Sequence, residues 1–143
     1  MKELYKYNRA FYDLMSAQES YARQQGMNGK KFQLLLWLYR SPKGIFQQTL
    51  AEKTFSTKQV VNAAIKKWKD QGYVEFQADK NDKRAKKVLL TKAGRSYAAS
   101  IIDTLDQAEK RAFGSLNATE QEQLGILVAK YAQALITELE SRE

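Results

Sequence analysis

The span from residue 50 to residue 94 constrains the fold most, because helical and strand patterns follow one another there with only short turns between them. An amphipathic segment, Gln47 to Lys53, leads into a turn at Thr54 and Phe55 that is too short to separate two domains. A second helix is predicted to begin at Ser56, because Ser56 and Gln59 have the three-residue spacing of a capping box. Two helices joined by a tight turn are therefore expected.

The second of these helices is predicted to have one apolar and one polar face. Residues at helical spacing make up the apolar face, namely Val61, Ala64, Ile65 and Trp68. The polar face consists of Thr57, Lys58, Gln59, Asn62 and Lys66. Gly72 is expected to end the helix in the left-handed conformation. One face can therefore pack while the other presents hydrogen-bond donors.

Strand-forming residues follow this helix and predict a β-hairpin. Tyr73 to Phe76 is rich in β-branched and aromatic residues, and Val88 to Leu90 resumes that pattern after a charged turn at Asp79 to Asp82. Ile45 and Phe46 are candidates for a third strand of the same sheet. The predicted fold class is mostly α with a small β-hairpin wing, which is a winged helix-turn-helix.

Long amphipathic helices are predicted on both sides of this segment. Glu3 to Gln25 forms one, and Lys31 to Arg40 forms a second helix that is apolar around most of its circumference. Lys92 to Phe113 forms a third, and the last helix is expected to start near Thr119, with Glu122 as its capping partner. The last two helices carry apolar stripes that one small protomer would struggle to bury. We therefore expect long N- and C-terminal helices that interlock in a two-fold homodimer.

The positive charge of the chain is concentrated in the winged segment. Residues 53–92 contain eleven Lys or Arg and four Asp or Glu, and they account for nearly all of the net charge of +8. A localised basic surface is typical of a protein that binds a polyanion. The alternative is a solvated face that is kept basic for solubility.

Composition excludes several classes of function. The chain has no Cys and no His, which excludes disulfides, thiol redox sensing, Cys or His metal ligands and imidazole catalysis. It also has no glycine-rich phosphate loop, so no enzymatic activity, cofactor or metal is expected, although a site of carboxylates or lysines alone stays open. No apolar run is long enough for a bilayer and the N-terminus is no signal peptide, so we expect a cytoplasmic protein without a membrane partner.

Residues 82–94, DKRAKKVLLTKAG, resemble the wing signature of MarR-type transcriptional regulators, an Asp-x-Arg followed by a strand that ends in Leu-Thr-x-x-Gly. Residues 48–72 are similar to the helix-turn-helix of the same family. The resemblance implies a bacterial, homodimeric repressor whose partner is double-stranded DNA, at an inverted-repeat operator that overlaps a promoter. It implies a single MarR-like domain over 1–143, with a winged DNA-binding lobe at 29–91 and dimerisation helices at 1–28 and 92–143.

The first set of predicted DNA contacts lies on the polar face of the second helix. Gln59 and Asn62 carry amides that suit a two-point contact with adenine, Lys58 can donate to guanine, and Thr57 can touch a thymine methyl or a phosphate. For Gln59, capping alone stays open as an alternative. For Lys66, the alternatives are a phosphate contact without sequence reading or plain surface charge.

The second set lies in the wing. Arg84 suits the concentrated negative potential of a narrow minor groove, and in the family pattern Asp82 orients or pairs with this Arg. Lys80, Lys83 and Lys86 are predicted to contact phosphates, which positions a protein without specifying sequence. The alternative is that Asp82 and Arg84 only stabilise the hairpin and do not contact DNA.

The resemblance also implies a small apolar or aromatic effector that binds between the dimerisation helices and the winged lobe. The aromatic candidates for such a site are Tyr5, Phe11, Tyr12, Trp37 and Tyr39. For each of them, packing in a core or an interface is the alternative role. The alternative function is a sequence-indifferent architectural protein that binds DNA or RNA, against which the amides on the exposed helix face argue.

Overall fold

The computed structural model describes residues 1–82 and 84–142. The helices and strands of these residues are, in chain order, α1 (Lys2–Gln24), α2 (Gly29–Tyr39), β1 (Ile45–Phe46), α3 (Gln47–Thr54), α4 (Lys58–Asp70), β2 (Val74–Ala78), β3 (Lys86–Leu90), α5 (Lys92–Phe113) and α6 (Ala118–Glu140). The chain divides into two compact units, 1–103 and 104–143, and α5 runs across the boundary between them.

Helices α2, α3 and α4 share one apolar core. Phe32, Leu35 and Leu38 of α2 and Leu50 of α3 are fully buried. The predicted apolar face of α4 is confirmed, because all of its members are buried, namely Val61, Ala64, Ile65 and Trp68. Burying a large apolar side chain stabilises a fold by about 1.5–3 kcal/mol. The packing therefore fixes the rotation of α4 about its axis and keeps its polar face in solvent.

The three strands form an antiparallel sheet in the order β1-β3-β2. The central residue of β3, Val88, is fully buried and lies opposite Ile45 of β1 and Phe76 of β2. The predicted third strand is thus confirmed. The hairpin is longer than the sequence pattern indicated, because β2 extends to Ala78 and β3 begins at Lys86.

The junction between β3 and α5 consists of the single residue Thr91. Its hydroxyl donates to the Gly72 carbonyl oxygen at 2.6 Å and accepts from the Gly94 N–H at 3.0 Å. The Thr91 N–H in turn donates to the Tyr73 carbonyl oxygen at 3.0 Å. A Cβ atom on Gly94 would lie 1.9 Å from that same oxygen, so only glycine allows α5 to approach the backbone of Tyr73 this closely. These contacts give the Leu-Thr-x-x-Gly sequence its physical role.

The predicted start of α4 is wrong by one residue. Thr57 caps the helix, because its Oγ1 accepts from the Val60 N–H at 3.2 Å. Ser56, the predicted cap, instead shares a hydrogen bond of 2.7 Å between its Oγ and the Thr54 Oγ1. The predicted end of the helix is confirmed, since Gly72 follows the cap with a φ of +80°.

The predicted start of α6 is also wrong, by two residues. The capping box joins Asn117 and Glu120, and not Thr119 and Glu122. The Asn117 Oδ1 accepts from the Glu120 N–H and the Glu120 carboxylate accepts from the Asn117 N–H, each at 2.9 Å. The earlier pair satisfies two backbone donors at once, so the helix begins there.

The C-terminal end of α1 contacts both α2 and α5. The Tyr21 hydroxyl donates to the Ile101 carbonyl oxygen at 2.6 Å, and the Tyr21 ring meets Phe32 edge-on at 6.2 Å. Ala22, on the next position of α1, is fully buried. The apolar residues nearer the N-terminus of α1 are exposed, among them Tyr5, Phe11, Tyr12, Leu14 and Met15.

Helix α6 carries the apolar stripe that its sequence predicted, and the stripe is exposed. Leu124, Val128, Tyr131, Leu135 and Leu139 all lie on the surface of the single chain, and so does Leu127, which widens the stripe. No residue of α6 is buried. A row of large apolar side chains in solvent is typical of a helix that a partner covers.

Candidate nucleic-acid interface

Helix α4 presents its polar face to solvent on a rigid support. Lys58, Gln59, Asn62 and Lys66 are all exposed, as predicted from their spacing. Thr57 is exposed as well, but its Oγ1 is already engaged as the acceptor that caps the helix. Since the buried face of α4 is packed and its first turn is capped, these side chains project from a backbone with little freedom to move.

A cleft of about 370 Å³ separates this face of α4 from α3. Lys58, Val61 and Asn62 line it from α4, and Gln47, Gln48 and Ala51 line it from α3. Gln47 and Gln48 therefore join the predicted polar residues of α4 at one surface, although the sequence reasoning did not include them. The signal in the sequence was the pair of adjacent amides at the start of the first short helix.

The wing tip is a tight turn organised by Asp82. The Asp82 Oδ1 accepts from the backbone N–H of Arg84 at 3.0 Å, and the Asp82 carbonyl oxygen accepts from the Ala85 N–H at 3.1 Å. Asp79 closes the loop by donating its N–H to the Ala85 carbonyl oxygen at 3.0 Å. Asp82 thus orients the main chain of Arg84, while the described ion pairs, Lys6–Glu3 and Arg23–Glu19, lie outside the wing.

The cations of the wing surround this turn. The side chains of Lys80, Arg84 and Lys86 are exposed, and Lys83, which was also predicted to contact DNA, lies outside the described residues. Among residues 1–82 and 84–142 no carboxylate forms an ion pair with Arg84, so its guanidinium is available to an anionic ligand. The wing and α4 therefore form two basic surfaces on one lobe.

The family model of the MarR family matches residues 25–85, which span α2, β1, α3, α4 and β2 and end just before β3. This segment of the chain is similar to the MarR family. The curated relatives that the chain matches are HTH-type transcriptional regulators.

Known MarR regulators and related proteins share this fold across nearly the whole chain. NMB1585, a MarR family regulator from Neisseria meningitidis, superimposes with a TM-score of 0.78 over 100% of both chains at 21% identity. MepR of Staphylococcus aureus, in a complex with DNA, gives a TM-score of 0.70 over 90% of this chain and 97% of its own at 20% identity. The HTH-type transcriptional regulator YkoM of Bacillus subtilis is 29% identical over 123 residues, which are 85% of this chain and 79% of YkoM.

A further basic feature of this lobe is a pair of lysines, one on α2 and one on α4. The Lys31 ammonium lies 5.5 Å from the centre of the Trp68 ring, and its pKa is lowered by burial and further by the neighbouring positive charge of Lys67. Two like charges held close together repel each other, and an anion that binds between or beside them offsets this repulsion. Sequence reasoning did not single out Lys31, because its proximity to Lys67 depends on how α2 packs against α4.

The five aromatic effector candidates are distributed over α1 and α2. Tyr5, Phe11 and Tyr12 are exposed along α1. Trp37 lies under the Lys53 ammonium, with 5.7 Å between the Nζ and the ring centre. Tyr39 packs against α5, where its hydroxyl donates to the Asp103 carboxylate at 2.8 Å and Arg95 covers its ring.

A pocket of about 400 Å³ lies elsewhere, between α1 and the start of α2. Met15 and Phe32 supply apolar walls, and Glu19 and Lys30 supply charged ones. Lys30 also reaches out of the pocket, because its Nζ donates to the carbonyl oxygens of Thr54 and Phe55. The pocket wall is thus linked to the turn that precedes α4.

Neither a metal site nor a membrane segment was found in the described part of the chain. The described residues contain no group of three carboxylates placed to hold a metal ion. Within residues 1–82 and 84–142, no helix combines the length and the apolar character needed to cross a membrane.

Proposed function

We propose that the protein is a homodimeric repressor that binds an inverted-repeat operator through α4 and the wing. The observation that carries this proposal is the division of α4 into two faces. Its apolar face is buried to hold the helix, and its exposed face offers amides and amines in a single row. A helix supported in this way fits the major groove of DNA.

Sequence preference is assigned to the first two turns of α4. The amides of Gln59 and Asn62 can donate to and accept from adenine, and the Lys58 ammonium can donate to guanine. Lys66, one turn further on, is assigned to a phosphate. The Thr57 hydroxyl oxygen accepts the hydrogen bond that caps the helix, so the hydroxyl is assigned to donate to a phosphate oxygen.

The wing is assigned to the minor groove beside the recognition site. Asp82 holds the main chain of the turn, and the side chain of Arg84 is exposed at its tip. Lys80, Lys83 and Lys86 are assigned to the flanking phosphates, where they add affinity and salt dependence but no sequence preference.

The exposed stripe of α6 supports a dimer. Leu127 and Tyr131 are exposed by 57% and 39% in the single chain, although both are large and apolar. We assign residues 1–28 and 92–143 to the dimer interface and residues 29–91 to DNA binding. Two such lobes, one duplex turn apart, would select an inverted repeat and occlude a promoter that overlaps it.

A small apolar or aromatic effector is proposed to release the DNA. The pocket between α1 and α2 supports this role, because Lys30 lines its wall and also donates a hydrogen bond to the Phe55 carbonyl oxygen in the turn before α4. A ligand that draws Lys30 into the pocket would free the Phe55 carbonyl and loosen the start of α4. Titration with a panel of aromatic acids and phenols, read as release of labelled operator, tests this proposal.

The decisive experiment for DNA binding is a titration of the purified protein against duplexes from its own upstream region. A scrambled duplex and a structured RNA are titrated beside them, at several salt concentrations. A preference of at least ~1000-fold for one inverted repeat, with a steep salt dependence, would support the operator proposal. Equal affinity for all three polyanions would refute it in favour of an architectural protein.

The dimer is tested separately by analytical ultracentrifugation. Leu127→Glu places a charge on the apolar stripe and is expected to yield monomers that bind the inverted repeat weakly. Gln133→Glu changes the charge of the same helix by the same amount without touching an apolar position, and it serves as the control. If Leu127→Glu sediments as the wild type does, the interface lies elsewhere.

A further inference from the structure

Phe55 occupies an unusual conformation at the turn between α3 and α4. Its φ and ψ are +52° and +42°, which places it in the left-handed region. Among residues 1–82 and 84–142, Phe55 is the one non-glycine residue with a positive φ. The hydrogen bonds there form a Schellman motif, because the Phe55 N–H donates to Glu52 and the Ser56 N–H donates to Ala51. Glycine usually fills this position, since any side chain with a Cβ is strained there.

Burial of the Phe55 side chain does not offset this strain in the free protein. It is 89% exposed, more than any other large apolar residue in the described chain. The strained backbone is nevertheless held firmly, because Lys30 donates to the Phe55 carbonyl oxygen at 2.9 Å and the Thr54 hydroxyl donates to Leu50 at 2.7 Å. A strained residue that its surroundings fix in place is typical of a functional site.

The position of the ring indicates what it contacts. Phe55 lies two residues before the Thr57 cap of α4, at the edge of the face assigned to the major groove. Lys53 and Lys58 flank it in the chain, and Lys30 holds its carbonyl. The nearby carboxylate of Glu52 accepts from the amide of Gln48 at 3.4 Å. An exposed apolar ring on a segment that also carries lysines suits a ligand that is both anionic and partly apolar, as the sugar–phosphate backbone is.

We infer that Phe55 is a DNA contact, in which its ring packs on a deoxyribose of the strand that borders the major groove occupied by α4. The inference rests on the recognition role proposed above for α4. The ring adds affinity through burial of apolar surface, and it adds no sequence preference because every nucleotide has the same sugar. The protein keeps a strained Phe at a glycine position because the ring is needed when DNA binds.

Substitutions at Phe55 separate binding from folding. Phe55→Gly removes the ring and relieves the strain, so we expect DNA affinity to fall by roughly tenfold while the melting temperature stays equal to that of the wild type or rises. Phe55→Asn, which tolerates the left-handed region, is expected to lose the same affinity. Phe55→Tyr keeps the ring and is expected to bind within about twofold of the wild type.

The titration uses the operator and a scrambled duplex over a range of salt concentrations. We expect the loss to be equal for both duplexes and the salt dependence to stay unchanged, since no charge is removed. Wild-type affinity of Phe55→Gly would overturn the inference and show that the ring faces something other than DNA. A loss confined to the operator would overturn the sugar contact in favour of a base contact.

Asn62→Ala, measured beside these variants, keeps the two proposals apart. If Asn62→Ala relaxes base preference while Phe55→Gly binds normally, the recognition role of α4 stands and the contact of Phe55 fails. If neither variant affects binding, the proposed recognition role of α4 fails as well.

Discussion

Gly94→Ala is expected to destabilise the protein at the point where the wing meets α5. The added Cβ would lie 1.9 Å from the Tyr73 carbonyl oxygen and 2.8 Å from its carbonyl carbon. Side-chain carbons essentially never approach other atoms closer than 3.0 Å, so α5 and the backbone of Tyr73 must separate by more than 1 Å. Neither partner is a flexible side chain that could swing away.

The size of the effect follows from the contacts that hold this junction. Separation would break the hydrogen bond from the Thr91 N–H to the Tyr73 carbonyl oxygen and disturb the stacking of Tyr73 on Tyr97, whose ring centres are 4.5 Å apart. Overpacking costs about 1–3 kcal/mol and a lost hydrogen bond about 1 kcal/mol. Alanine recovers less than about 1 kcal/mol through its helix propensity. We expect a net loss of about 3 kcal/mol.

Thermal unfolding followed by circular dichroism at a fixed protein concentration measures this loss. For a chain of this size, we expect the melting temperature to fall by roughly 10 °C. Ser96→Ala serves as the control, because Ser96 is exposed two positions further along α5 and its change should stay within about 0.5 kcal/mol. A melting temperature of Gly94→Ala within about 2 °C of the wild type would refute the argument that these backbones are closely packed.

Four further predictions concern the site and the helix ends. Arg84→Ala should weaken binding to duplexes with an AT-rich flank and leave the melting temperature nearly unchanged, whereas a loss of fold stability would indicate that Arg84 staples the hairpin. Asn62→Ala should relax the preference at one base pair per half-site, and uniform weakening across sequences would assign Asn62 to a phosphate. Lys30→Met should lower operator affinity without changing the salt dependence, because Lys30 orders the turn before α4 through two carbonyls, and a shallower salt slope would instead make it a phosphate contact. Asn117→Ala should cost about 1 kcal/mol in urea unfolding, and an equal loss from Thr119→Ala would contradict the observed capping box.

The sequence predicted the parts of the fold that depend on short-range periodicity. The buried face of α4 follows from the spacing of residues such as Val61, Ile65 and Trp68, and the third strand follows from the β-branched and aromatic pair Ile45 and Phe46. Such patterns arise because one face of each element must be buried wherever the rest of the chain lies.

The helix starts were less predictable, because several polar residues compete for each cap. Ser56 and Thr57 are both good capping residues, and the hydroxyl of Thr54 decides between them by bonding with Ser56. That contact depends on the left-handed turn at Phe55, which the sequence gives no reason to expect because no glycine stands there.

The aromatic residues show where sequence reasoning ends. Tyr39 was proposed with Tyr5 and Trp37 as an aromatic candidate for the effector site, and in the structure its hydroxyl donates to the carboxylate of Asp103, a residue 64 positions away. No pattern along the chain shows which aromatic residues meet in space. The link from Lys30 to the turn before α4 is of the same kind, since it joins residues 24 and 25 positions apart.

The one-residue junction at Thr91 leaves no slack between the sheet and α5. The central strand of the wing ends at Leu90 and the helix begins at Lys92, while the Thr91 side chain bonds on both sides of the joint. The orientation of the wing is therefore coupled to that of the first turns of α5, because no flexible linker separates them.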